Sequence, residues 1–78
     1  MSAPKKRSVT IHGHRTSFSL EDAFYAELER IAAARGKTIA SLIAEIDRSE
    51  TRATNLSSAL RLYVLEDLKR QAAADGRG

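Results

Sequence analysis

Apolar and polar positions alternate near the start of the chain and then change to a helical repeat. From Ser8 to Phe18 the residues favour extended structure: Val9, Thr10, Ile11 and Thr16 are β-branched, and Val9 and Ile11 alternate with polar neighbours. Gly13 interrupts this run and predicts a bend or bulge there. No second strand is evident to pair with this one. A lone strand leaves its backbone donors and acceptors unpaired and invites pairing with another chain. The expectation is a homodimer in which two copies of the strand pair antiparallel across a two-fold axis.

Three helices follow in the pattern. Ser19 is a good N-cap residue, with Asp22 three positions on and Glu21 beside it, where the helix dipole favours negative charge. Leu20, Phe24, Leu28, Ile31 and Ala32 make the apolar stripe of this first helix, and Gly36 predicts its left-handed end. Thr38 caps a second helix, where Ile39, Leu42, Ile43 and Ile46 repeat at i, i+3, i+4, i+7, and which runs to about Asp47 or Arg48. Residues 49–54 are polar and without periodicity, so they read as a loop. Asn55 caps a third helix carrying Leu56, Ala59, Leu60, Leu62, Tyr63, Val64, Leu65 and Leu68. An apolar surface that wide predicts burial on more than one side. The end, from Gln71, is expected to fray.

Length and composition narrow the classes. Seventy-eight residues make one small domain, and without cysteine neither disulfides nor thiolate metal sites can reinforce it. A partner chain is the natural reinforcement. No apolar run approaches a membrane span, and no apolar stretch follows the basic N-terminus as a secretory signal requires, so a cytoplasmic protein is expected. The net charge of +3 is unevenly distributed: Lys5, Lys6, Arg7 and Arg15 all precede the first acid, Glu21. A basic arm of this kind suits a polyanion partner through phosphate neutralisation, while the plainer reading is a solvated tail. The expected organisation is a flexible basic arm at 1–7, a domain at 8–72 and a disordered tail at 73–78.

The segments Arg15-Thr16-Ser17-Phe18-Ser19-Leu20-Glu21-Asp22, Ile31-Ala32-Ala33-Ala34-Arg35-Gly36-Lys37-Thr38 and Ser41-Leu42-Ile43 resemble the ribbon-helix-helix family of Arc- and MetJ-type repressors. The longer pattern, from Gly13-His14-Arg15-Thr16-Ser17 through Ile46-Asp47 to Asn55-Leu56-Ser57-Ser58-Ala59-Leu60-Arg61, resembles small bacterial members with an extra C-terminal helix. The resemblance implies a mainly α fold with one short N-terminal β-strand, an intertwined homodimer with a two-stranded antiparallel ribbon between subunits, and that additional helix. It also implies a DNA-binding transcriptional regulator, a repressor by analogy, whose ribbon enters the major groove. Phe18 and Thr16 then face the core, and Arg15, Ser17 and Ser19 face base edges, with Ser19 also claimed as an N-cap. Phosphate contacts fall to Lys5, Lys6 and Arg7, and to the start of the second helix at Lys37, Thr38 and Ile39, where free N–H groups favour an anion.

Other chemistry finds little footing. His12 and His14 sit two apart, but no nearby Cys, Asp or Glu completes a metal set. Neither a cofactor nor catalysis is expected, since no nucleophile has a base and a pocket beside it. Asp47 and Arg61 suggest an ion pair between the second and third helices, and Tyr25 and Tyr63 read as packing residues. A rival from a different class is a dimeric protein-interaction module, antitoxin-like or an adaptor, docking a partner through the third helix. Exposure of Leu62 and Leu65 favours that rival, and their burial in a dimer favours DNA. Two dimers side by side on an operator are a further expectation.

Overall fold

A computed structural model describes residues 3–49 and 55–75. Two strands precede three helices: β1 (Lys5–Ile11), β2 (His14–Leu20), α1 (Asp22–Ala34), α2 (Ile39–Ser49) and α3 (Leu56–Asp75). The mainly helical order with an added C-terminal helix is the one expected. The N-terminal β element is not.

β1 and β2 form an antiparallel hairpin within the chain, with Ile11 opposite His14 and Lys5 opposite Leu20. His12 and Gly13 link them, with φ of 51° and 80°. Two consecutive positive φ values make a type I′ connection, whose twist matches that of the flanking strands. The interruption at Gly13 is therefore a reversal of the chain rather than a bend in one strand. Lys5, Lys6 and Arg7 form the first half of β1, so the reading of residues 1–7 as a flexible arm does not hold for them. The dimer argument from an unpaired strand also lapses, because β1 supplies the partner.

α1 begins later than expected. Ser19 and Leu20 remain in β2, the N-cap is Glu21, and no side chain caps the helix. Its far end follows the sequence closely: the N–H of Gly36 donates to Ala33 O at 3.1 Å and that of Lys37 to Ala32 O at 2.8 Å. With Gly36 at φ 68°, this is the paired hydrogen-bond closure of a left-handed C-terminus. Thr38 caps α2, its Oγ1 accepting from Ser41 N–H at 3.0 Å, and Asn55 caps α3, its Oδ1 accepting from Ser58 N–H at 2.8 Å. α3 continues to Asp75, past the expected fraying at Gln71. The expected loop at 49–54 falls, after Ser49, outside the described residues.

The core lies beneath the hairpin. Ile11, Phe18 and Leu20 from the strands meet Leu28, Ile31 and Ala32 of α1, Leu42, Ile43 and Ile46 of α2, and Ala59, Leu60 and Val64 of α3. α3 packs on α1, α2 and β2, while α2 also packs on β1. One side of α3 is thus buried, but Leu62, Leu65 and Leu68 stay 54%, 48% and 41% exposed, so burial on a second side is not met within one chain. The expected Asp47–Arg61 pair is not formed. Arg61 instead donates from Nε to Glu21 at 3.2 Å, since it points towards the end of β2 rather than towards α2.

Candidate nucleic-acid interface

The hairpin register sorts its side chains into two faces. Phe18 and Leu20 are buried, Thr16 is half-buried, and Arg7, Val9 and Ile11 lie on the same inner side. Arg15, Ser17 and Ser19 all face outward and are exposed. Opposite them stand Thr10, Ser8 and Lys6, also outward and exposed. Six polar side chains therefore cover one face, with two cations and no acid. A shallow depression of about 310 Å³ opens there, lined by Lys6, Arg7, Ser8, Arg15 and Ser17. Neither Lys6 nor Arg15 has an ion-pair partner among the described residues.

The other N-terminal cations are engaged. Arg7 donates from Nη2 to Asp22 Oδ1 at 2.6 Å, and Lys5 Nζ lies 3.1 Å from Asp22 Oδ2. The Arg7 guanidinium also stacks over the Tyr25 ring, 4.1 Å from its centroid, and its Nε is buried without an acceptor. These contacts clamp β1 to the first turn of α1, and the hydrogen bonds from Lys5 and Arg7 hold the Asp22 carboxyl below its ordinary range. Sequence reasoning treated Lys5, Lys6 and Arg7 as one basic arm. The period of two in a strand separates them, sending Lys6 out and Lys5 and Arg7 in.

The start of α2 keeps free donors. Thr38 uses its hydroxyl for Ser41, and the first intrahelical bond, Leu42 N–H to Thr38 O at 3.0 Å, leaves the N–H groups of Ile39 and Ala40 unclaimed. Lys37 beside them is not free: its ammonium bonds Glu45, which Arg35 also contacts at 3.1 Å. Both cations hold the Glu45 carboxyl below its ordinary range, Lys37 contributing most.

Sequence reasoning missed the role of Ser57 and Arg61. The Ser19 N–H donates to Ser57 Oγ at 2.9 Å, and Arg61 Nη2 approaches Ser19 O at 3.5 Å. The Ser19 backbone groups therefore point away from β1. Alternation along an antiparallel strand turns those of Arg15 and Ser17 the same way, to the open edge of β2. His12 lies in the turn and His14 at the start of β2, and no set of three or more His, Cys, Asp or Glu is placed to hold a metal among the described residues. No helix among them is long and apolar enough to cross a membrane.

A polar, basic β-ribbon thus leads into α1 and α2, with α3 added behind them. A model of the ribbon-helix-helix domain matches residues 4–68. The chain belongs to the ribbon-helix-helix family. Proteins of this family generally bind DNA as dimers, and the fold is not an enzymatic one. This ribbon-helix-helix chain is also similar to a solved structure, an uncharacterized protein of Bordetella pertussis Tohama I, at 34% identity and a TM-score of 0.69. The match covers 97% of this chain and 62% of the other, so the ribbon-helix-helix chain spans less than two thirds of that protein's length. No curated protein matches it.

Proposed function

We propose that this protein is a homodimeric, sequence-specific DNA-binding regulator that reads the major groove with the outward face of its hairpin. The observation that carries the reading is that face itself: Arg15, Ser17 and Ser19 on β2, flanked by Lys6, Ser8 and Thr10 on β1, without an acid among them. Arg15 is suited to bidentate contact with guanine, and the serine hydroxyls to donating or accepting at several base edges. Ser19 does not cap α1, which leaves its hydroxyl available.

The dimer forms by joining the open edges of two β2 strands. With the two-fold axis at Thr16, Arg15 of one chain pairs with Ser17 of the other, giving four backbone hydrogen bonds and leaving Ser19 to Ser57. The β1 edge is less suited to pairing, because Lys5, Lys6 and Arg7 charge it. The result is a four-stranded sheet. Two strands fit the major groove, and outer strands about 4.8 Å further out meet the flanking backbones. Lys6 on β1 therefore contacts phosphate, as do the free N–H groups of Ile39 and Ala40 beside Thr38. Lys5, Arg7 and Lys37 contribute less, since Asp22 and Glu45 already hold them. The protein works in the cytoplasm, as a repressor of the genes whose operators it occupies.

Arg15→Ala tests the assignment in a fluorescence-anisotropy titration on a selected duplex. The expected loss is about 1–3 kcal/mol, with relaxed preference at one position per half-site. Unchanged base preference refutes Arg15 as a reader, and absence of any salt-dependent duplex binding refutes the DNA reading.

A further inference from the structure

We infer that the α3 face carrying Leu65, Leu68 and Ala72 is a second contact surface for another copy of this chain, adjoining the open edge of β2. The inference rests on the ribbon dimer proposed above and adds a helical contact to it.

Two features of the described surface lack a partner, and they lie side by side. The first is the β2 edge. The second is α3, which holds every exposed large apolar side chain among the described residues: Leu62, Leu65 and Leu68. Ser57 and Arg61 fix how the two are related, because both reach the Ser19 backbone at that edge. They mark the side of α3 that turns towards the open edge. Leu65, Leu68 and Ala72 follow Arg61 by four, seven and eleven residues, and those spacings return to one face of a helix. From Leu65 to Ala72 that face is apolar at its centre, with Lys69, four residues after Leu65, at its border. The apolar strip therefore runs on from the strand edge, beside the side of α3 on which Ala59, Leu60 and Val64 are buried in the core.

A single occupant meets both features. A strand added to β2 brings its own helical layer with it, and that layer lands against the neighbouring side of α3. A second copy suits this because the edge register is self-complementary: Arg15 pairs with Ser17 in both directions, and an isologous interface requires such reciprocity. The leucines then lie in the continuation of the ribbon interface and are covered when the ribbon forms. Leu62, one turn before Leu65, borders the strip.

The test compares three forms of the full chain by sedimentation equilibrium over a range of concentrations, with circular dichroism to establish folding. Ser17→Pro removes an N–H that faces the open edge and leaves the β1–β2 bonds in place, so it reports on the ribbon alone. Leu65→Glu with Leu68→Glu reports on α3. Both variants are expected to weaken dimerisation, the leucine pair by at least about tenfold, since each dimer loses apolar burial twice. Leu65→Gln with Leu68→Gln serves if the charged pair misfolds. If Ser17→Pro weakens the dimer and the leucine variants dimerise like the parent, the α3 inference is overturned and the ribbon stands. The same holds if the leucine variants instead lose only binding to a different protein. A parent chain that stays monomeric, or a Ser17→Pro dimer as tight as the parent, overturns the ribbon reading and this inference with it.

Discussion

Lys5 and Lys6 are neighbours of identical charge, yet the hairpin gives them opposite surroundings. Lys6 stands on the outward face without an ion-pair partner among the described residues, whereas Lys5 lies 3.1 Å from Asp22 on the inner side. Replacing Lys6 with Gln removes one phosphate contact from each chain, hence two from a dimer. Each contact releases counterions with a slope of about 0.9 in log K against log salt, so the slope should flatten by about 1.8. Between 50 and 200 mM salt, that difference changes the ratio of parent to variant affinity by about tenfold. Lys5→Gln removes the same formal charge but should leave the slope near the parent value. Its exposed pair with Asp22 also contributes little to folding. Fluorescence anisotropy on one duplex at four or five salt concentrations measures both slopes. Equal flattening by the two substitutions would refute the distinction, because the cations would then act as one undifferentiated arm. No flattening by Lys6→Gln would refute the phosphate contact.

Two further outcomes concern the fold. Gly36→Ala should lower stability by about 1 kcal/mol, because φ of 68° disfavours a Cβ while the space around it is open; a thermal midpoint falling by about 4–8 °C is expected, and an unchanged midpoint contradicts it. Glu21, Asp22, Glu45 and Asp67 all have carboxyls held below their ordinary values of 3.8 for Asp and 4.5 for Glu. A depressed folded pKa contributes stability that is present above the unfolded value and lost as pH falls through the folded one. Urea midpoints should therefore hold from about pH 7 to 5 and drop below about pH 4, with a shallower drop in Asp22→Asn. A midpoint independent of pH down to 3 contradicts the pairing.

The helical part of the fold was largely legible in the sequence because its signals are local. Gly36 acts through its own φ, Thr38 and Asn55 through side-chain oxygens that accept from N–H groups three residues on, and each ends or starts a helix where its chemistry directs. The alternation of Thr16 and Phe18 with Arg15, Ser17 and Ser19 also emerged as read. The hairpin was hidden for two physical reasons. Its turn uses His12 before Gly13, where Asn or Asp is the familiar residue at positive φ, and His12 bears φ of 51° without that signature. Its first strand opens on Lys5-Lys6-Arg7, which composition assigns to a solvated arm until Asp22 and Tyr25 are seen to receive two of the three. Ser19 was misassigned for a related reason: a residue suited to an N-cap is held in β2 by Ser57 and Arg61, thirty-eight and forty-two residues away. Tertiary partners at that distance leave no local mark in the sequence.

The proposal that the outward hairpin face reads DNA as a dimer is tested most directly by selecting bound fragments from a random duplex pool. One ribbon occupying one major groove predicts an enriched site of two inverted half-sites lying within about one helical turn, each losing its strongest base preference in Arg15→Ala. A pool that returns no enriched motif, or a motif whose preferences Arg15→Ala leaves intact, would contradict it.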